Sequence, residues 1–505
     1  MPARTGQDYI RGLREQPREV WIDGERVKDV TTHPAFRGGV RSVAVLYEMQ
    51  HDPDLKEEMT YRSPTSGDPV GLSFIIPRTM QDLERRRQMM LQWARTGCGM
   101  MGRSPDFLNV NFAAWGAAAD YFAQSRPQFG ANVRRYYEYI RERDLTLTHS
   151  LINLQRSRAL SGMFNLSEET ALHLVRETDA GIVVRGSRVL ATLGPISDEI
   201  AVYSPREGRM QEASNPFVLN FAIPCGTPGL KFLCRESFDL GRSHFDHPLG
   251  SRFEEMDAIV FFDDVLVPWE RVFLLGDVDL LNEMPRTTNS TVHTAHQGAV
   301  KNVAKSEFLL GVALLMAQTL GSTQLPHVQE RLAELMMHTE VMKALLRAGE
   351  ADAQLDRWGV MCPSMVPLEV TRTLFMSTYP RMVEILQLLG SSSFMLIPSE
   401  ADFQSPLSPE IQRYLATDTA AARDRVKLFR LAWDIACSAF GGRQVLYERF
   451  FAGEPLSRAR FLQSIYVKDP LVERVRAFLR QDDDSERHGP SRASPVQLRS
   501  WRRTV

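Results

Sequence analysis

DAIVFFDDVLVPW, residues Asp257–Trp269, is the stretch on which the fold class turns. Its valines, isoleucine and paired phenylalanines, closed by Pro268, make a strand rather than the stripe of an amphipathic helix. Upstream, LKFLCRESF (Leu230–Phe238), PFVLNFAIP (Pro216–Pro224) and GIVVRGSRVLAT (Gly181–Thr192) repeat that signature between turn residues. Arg185–Gly186–Ser187 reads as a tight hairpin turn. Residues 151–280 are therefore expected to form a small antiparallel barrel or sandwich.

The periodicity changes on both sides of this zone. Residues 1–150 read as mostly helical. One helix is expected over Thr79–Gly97, capped by Thr79, with apolar Leu83, Met90, Leu91 and Trp93, and stopped at Gly97. A second is expected over Ala117–Arg141. Residues 281–480 carry long amphipathic segments at His296–Leu320, Pro326–Asp352, Pro367–Leu389, Pro409–Phe440 and Leu456–Leu479, which with short links imply a bundle. The tail, 481–505, is polar and rich in Pro, Ser and Arg, and is expected to be disordered or to lie on a neighbouring subunit. Helices, then strands, then helices make an α+β chain by segregation, mainly helical.

At 505 residues the chain is too long for one core, so two or three packed regions are expected. A formal charge of −2 gives no electrostatic case for nucleic acid. MPARTGQDYIRGLREQ lacks the apolar core of a secretory signal. The longest apolar runs, such as FLLGVALLMAQTL (Phe308–Leu320), fall short of the ~18 residues of a membrane span. Cys98, Cys225, Cys234, Cys362 and Cys437 are scattered and form no CxxC pair, so neither a disulfide framework nor a metal site is expected. A cytoplasmic location follows as the expectation.

No dinucleotide fingerprint, phosphate-binding loop, zinc-protease helix or nucleophile elbow occurs. Four segments could carry chemistry. MMGRSPDF (Met100–Phe107) sets Arg103 on a Gly/Pro loop, where it is either a solvated cation or a binder of an anionic oxygen such as a phenolate. LTHSLINLQRSR (Leu147–Arg158) holds His149 among apolar residues, a satisfied core histidine or a base. Arg156 and Arg158 nearby could hold a pyrophosphate. Thr192 ends a β-run and offers a hydroxyl there. In FGGRQVLYE (Phe440–Glu448), Gly441–Gly442 reads as a helix stop or as backbone that a ligand approaches closely.

Taken in order, these segments resemble the oxygenase components of 4-hydroxyphenylacetate 3-monooxygenases. GERVKDVTTHPAFRGGVRSVAVLYE (Gly24–Glu48), MGRSPDF, THSLIN, ETDAGIVVRGSRVLAT (Glu177–Thr192), PLGSRFEEMDAIVFFDDVLVPWERV (Pro248–Val272) and FGGRQVLYE carry the resemblance, from about Gly6 to Leu479. It implies an acyl-CoA dehydrogenase-like fold: an N-terminal helical domain (1–150), a middle antiparallel β-barrel (151–280) and a C-terminal bundle (281–480). It implies FAD, delivered as FADH₂ by a separate NAD(P)H flavin reductase. O₂ then gives a C4a-hydroperoxyflavin that hydroxylates a phenol ortho to its oxygen. A homotetramer, as a dimer of dimers, is implied too. On the family's pattern Arg103 and His149 are the catalytic residues. Arg103, Phe107, His149 and Ser204 meet substrate. His149, Ser150, Leu151, Gln155, Arg156, Ser157, Arg158, Thr192, Gly441, Gly442, Arg443 and Gln444 meet the flavin. Two places depart from the pattern. Asn153–Leu154 stands where Asn-Pro is usual, and Phe107 replaces a Tyr, removing a hydroxyl worth ~1–3 kcal/mol of discrimination. A tyrosine-like, halogenated or carrier-bound phenol is therefore expected in place of 4-hydroxyphenylacetate.

Three other readings compete. An acyl-CoA dehydrogenase needs a bundle carboxylate, for which Glu307 and Glu384 are candidates. A 4-hydroxybutyryl-CoA dehydratase needs several cysteine ligands, and only Cys98 lies in the right region. A non-catalytic flavin-binding scaffold would tolerate Phe107.

Overall fold

Thr79 opens its helix as the sequence predicts: its side chain accepts from the Asp82 N–H, Asp82 reciprocates, and the helix Met80–Thr96 closes on Gly97. The computed structural model describes residues 3–154, 166–203, 212–239 and 241–487. Ala117–Arg141 is not one helix. It divides into Asp106–Ala117, Ala119–Phe122 and Pro127–Arg143, because Pro127 forces Arg126 into extended backbone and opens a new helix at its first position. The long helices Ser290–Thr319, Pro326–Ala351 and Met365–Gly390 pack on one another as expected. Pro409–Phe440 is broken into Ser408–Leu415, Ala422–Ala436 and a helix starting at Ala439. Thr417 ends the first piece, its hydroxyl accepting from the Ala420 N–H in place of a helical turn.

Besides two two-stranded pairs, Thr60–Arg62 with Pro69–Gly71 and Gln354–Leu355 with Met361–Cys362, the strands among the described residues make two larger open sheets, and not the closed antiparallel barrel expected. The larger runs in the order Glu25–Arg26, Glu19–Ile22, Leu230–Cys234, Ala258–Pro268, Gly181–Arg188, His173–Thr178. The smaller runs Val272–Leu275, Leu219–Pro224, Glu199–Val202, Leu147–Ser150. Each contains one parallel pair, Glu19–Ile22 with Leu230–Cys234 and Leu147–Ser150 with Glu199–Val202. Both parallel pairs recruit a strand from the first 150 residues, a long-range contact that local pattern does not encode. The turn at Arg185–Gly186–Ser187 is also corrected. Gly186 lies inside the strand Gly181–Arg188, at φ +123°, because a Cβ there would sit 2.3 Å from the Ala171 carbonyl oxygen. The hairpin turns instead at Thr178–Gly181.

Aromatic edges join the helices to the smaller sheet. Phe112 meets Tyr136 and Phe273 with ring centres 5.0 and 6.2 Å apart, and Trp115 meets Tyr203 at 5.1 Å. This fixes the helix that carries Phe107 against the strand that carries His149. The chain folds as two compact units, Met1–Ala459 and Arg460–Val505. In the second, the helix Asp469–Arg487 runs into the first residues of the expected tail. No helix among the described residues is long and apolar enough to cross a membrane.

Candidate active site

Two glycines set the course of the loop that carries Arg103. Gly99, at φ +68°, lies on the Lys305 backbone, where a Cβ would be 2.6 Å from the Lys305 nitrogen. Gly102 leaves room for Tyr447, whose hydroxyl oxygen would be 2.1 Å from a Cβ. That hydroxyl accepts from Arg103 Nη1 at 2.7 Å. The Arg103 backbone N–H donates to Glu255 at 2.6 Å. The guanidinium lies 4.1 Å over the Phe107 ring and 5.0 Å from that of Phe451. Among the described residues no carboxylate pairs with it, so its remaining N–H groups stay available to an anionic oxygen.

Phe107 continues the column. Its ring stacks on His149 with centres 5.6 Å apart and planes at 26°. His149, buried in the strand Leu147–Ser150, faces Tyr203 at 5.9 Å. Arg103, Phe107 and His149, which the sequence reading joined only through resemblance, are thus neighbours.

Beneath the loop lies a buried ionic network. Arg443 holds Asp257 through two bonds of 3.0 and 2.9 Å and Glu255 through one of 2.9 Å. Asp257 also accepts from Thr192 at 2.7 Å and Arg235 at 3.2 Å. Burial alone would raise the Asp257 carboxyl, but these cations and the hydroxyl hold it down at about 2. Glu448 accepts from Lys301 at 2.5 Å and from Lys305 at 2.6 Å, with all three side chains almost wholly buried. Burial lowers Lys301 to about 8, against the pull of Glu448. Lys305 also donates to Gln444 at 2.7 Å, and Gln444 donates to the Met100 carbonyl at 3.0 Å.

Asp106, beside Phe107, has no cationic partner among the described residues. Burial pushes its carboxyl up to about 6, against bonds from Ser104 at 2.6 Å and Gln297 at 3.1 Å. A carboxyl raised on folding stabilises fully below its unfolded value, and that stability is lost as pH rises through 6. Asp106→Asn is expected to abolish this slope, leaving the variant about 2–3 kcal/mol more stable than the parent at pH 8 and nearly equal at pH 4. Urea unfolding at both pH values checks it; parallel pH slopes for the two chains would refute it.

The expected flavin contacts divide. Gln155, Arg156, Ser157 and Arg158 lie outside the described residues, as does Ser204, a residue expected to meet substrate. Ser150 is buried, its hydroxyl without a partner among the described residues. The Leu151 carbonyl accepts from Arg188 at 2.6 Å. Arg188 escaped the sequence reading; it is fully buried, and its Nε and Nη2 have no partner among the described residues. Burial lowers its guanidinium to about 10. Ile152 and Leu190 stand exposed beside it. Thr192, Arg443 and Gln444 are committed to protein partners. Gly441 and Gly442 do not stop a helix; they lie in the first turn of Ala439–Phe450, capped by Ser438. Gly441 is required because a Cβ would fall 2.3 Å from the Ile435 carbonyl oxygen, whereas Gly442 faces open space. Glu307 pairs with Arg95 and Lys343, and Glu384 with Arg381, so neither bundle carboxylate stands free as a base. All five cysteines are free, and no cluster of three or more metal-ligating side chains occurs among the described residues.

Comparisons with known proteins agree along the chain. Residues 5–274 match the family model described as 4-hydroxyphenylacetate 3-hydroxylase N terminal, and residues 281–480 the corresponding C-terminal model. The 4-hydroxyphenylacetate 3-monooxygenase oxygenase component of Geobacillus sp. (strain PA-9) is 47% identical over 481 residues, covering 95% of this chain and 97% of the relative. A Streptomyces globisporus monooxygenase acting on (3S)-3-amino-3-(3-chloro-4-hydroxyphenyl)propanoyl-[peptidyl-carrier protein] is 33% identical over 89% of this chain and 85% of its own. A crystal structure of a 4-hydroxyphenylacetate 3-monooxygenase oxygenase component complexed with FAD and 4-hydroxyphenylacetate superposes with a TM-score of 0.91. It has 46% identity and covers 95% of this chain and 99% of that one.

Proposed function

Because the chain belongs to the 4-hydroxyphenylacetate 3-hydroxylase family, we propose that it is the oxygenase component of a two-component flavin monooxygenase that hydroxylates a phenol ortho to its oxygen. The observation that carries the reading is the cluster of Arg103, Phe107 and His149, in which a guanidinium without a carboxylate partner among the described residues and a buried imidazole both pack on the Phe107 ring. The residues present also fit a flavin. The unpartnered Ser150 hydroxyl and Arg188 N–H groups offer donors to its polar edges, and exposed Ile152 and Leu190 offer an apolar face. Bound as FADH₂ from a separate NAD(P)H reductase, the cofactor supplies two electrons for the splitting of O₂, one oxygen atom ending in the ring and the other in water.

The chain's own residues prepare the substrate. Arg103 holds the phenol oxygen and stabilises negative charge on it. His149 accepts the phenol proton, which makes the ortho carbon electron-rich. The surrounding rings keep water from the reacting atoms. Phe107 gives shape without a hydroxyl, so the substrate range extends to tyrosine-like, halogenated or carrier-bound phenols, as the Streptomyces relative's substrate suggests. The reading further includes three functional zones, 1–150, 151–280 and 281–480, a homotetramer, and a cytoplasmic setting.

Anaerobic protein with FADH₂, mixed with oxygenated buffer and a panel of phenols, tests this. A catechol formed from at least one phenol is expected; conversion of all reducing equivalents to H₂O₂ with every phenol would end the proposal. Tyr447 is a positioning residue in it. Tyr447→Phe removes the acceptor that fixes Arg103, and should raise KM for the phenol about tenfold while kcat changes little. Steady-state kinetics with an unchanged KM would exclude that role.

A further inference from the structure

Away from the column, the helix Pro34–Glu48 meets the short helix Gly250–Phe253 without intervening side chains. A Cβ on Gly38 would lie 2.3 Å from the Ser251 carbonyl oxygen. The Ser42 hydroxyl donates to the Arg252 carbonyl at 2.6 Å across the same joint. This close approach sets Arg37 and Arg41, one turn apart on one helix face, beside Arg252. The segment Gly241–His244 forms the facing wall and brings Arg242 and His244. Together they line an open cleft of about 550 Å³.

The charges in this cleft are unbalanced. Among the described residues, no carboxylate pairs with Arg37, Arg41 or Arg242, and the Arg252 guanidinium meets only the Pro248 carbonyl. Asp239 is the one acid in the wall. Its Oδ2 accepts from the Gly241 N–H at 3.1 Å and its Oδ1 lies 3.7 Å from His247. The His244 imidazole, bonded to Ser251 at 2.7 Å, is pushed below its ordinary value by burial and then by Arg252, with Arg41 and Arg37 adding to the effect against Asp239. Four guanidiniums on two walls, with one acid among the lining residues, form a cationic cleft suited to an anion.

We propose that this cleft binds the diphosphate of a nucleotide, gripped from one side by Arg37, Arg41 and Arg252 and from the other by Arg242. Guanidinium forks match phosphate oxygens, and several forks spread over both walls suit two linked phosphates better than one. The volume exceeds what inorganic phosphate needs and lies within the range of small-molecule sites. The diphosphate belongs either to a free nucleotide or to the ADP half of a dinucleotide. The proposal does not depend on the hydroxylation reading, since binding is measured without turnover.

Calorimetric titration of the full chain with ADP, pyrophosphate and adenosine tests it, using the parent and the exposed-site variants Arg41→Glu and Arg242→Glu, each checked for an unchanged melting temperature. ADP and pyrophosphate should bind the parent and adenosine should not. Each charge reversal should weaken ADP at least tenfold, and added salt should weaken it further. If FAD displaces ADP one for one and loses affinity in the same variants, the diphosphate is that of a dinucleotide. If FAD and ADP bind together, it is that of a free nucleotide. No heat with ADP, or ADP binding equal in parent and variants, overturns the proposal.

Discussion

Glu448→Leu is expected to destabilise the protein by about 3–5 kcal/mol, the cost of leaving a buried charge without its partner. Glu448 is the single carboxylate that both Lys301 and Lys305 reach, and none of the three side chains is more than 1% exposed. Lys305 would keep Gln444, and Lys301 would keep the faces of Phe375, Tyr447 and Phe451. Both ammoniums would then shed protons or admit water. Replacing all three with apolar residues of similar volume, as in Lys301→Met, Lys305→Met, Glu448→Leu, should recover most of the loss, because the desolvation cost disappears with the charges. Urea unfolding of the parent, single and triple variants measures this. A single-variant loss below about 1 kcal/mol would mean that the cluster is hydrated rather than dry.

His149→Ala is expected to lower hydroxylation by about 10²- to 10⁴-fold while FAD affinity stays within a few-fold. The imidazole stacks on Phe107, and the Arg103 guanidinium over the same ring cannot accept a proton. Reducing equivalents would still be consumed, but they would leave as H₂O₂ instead of product. The ratio of catechol formed to FADH₂ oxidised separates this from a folding defect, which would lower both. An unchanged ratio would remove His149 from the chemistry.

What could be read in advance follows from range. The Thr79 cap and the Gly97 stop were legible because their partners lie within one helix. Gly186 was misread because the residue that demands it, Ala171, arrives from another segment. The breaks within 409–440 were missed because Thr417 and Ser438 redirect the chain through local side-chain bonds that apolar spacing does not register. In the site, Arg103, Phe107 and His149 were named by resemblance, and they prove to be neighbours. Tyr447, which fixes Arg103 from 344 positions away, and the Lys301–Glu448 pair, 147 apart, had no signal in any window of sequence. Buried ion pairs between distant segments are written in the fold and not in the pattern.

The loop from Gly99 to Arg103 is pinned at every turn: to Lys305, to Gln444, under Tyr447 and onto Glu255. Such a loop has little room to evolve by insertion or drift, since each pin couples it to a different element. Divergence toward new substrates would then be channelled into the rings packed beside it. Position 107 becomes the mutable dial of this lineage, and position 102 a residue that could change only together with 447.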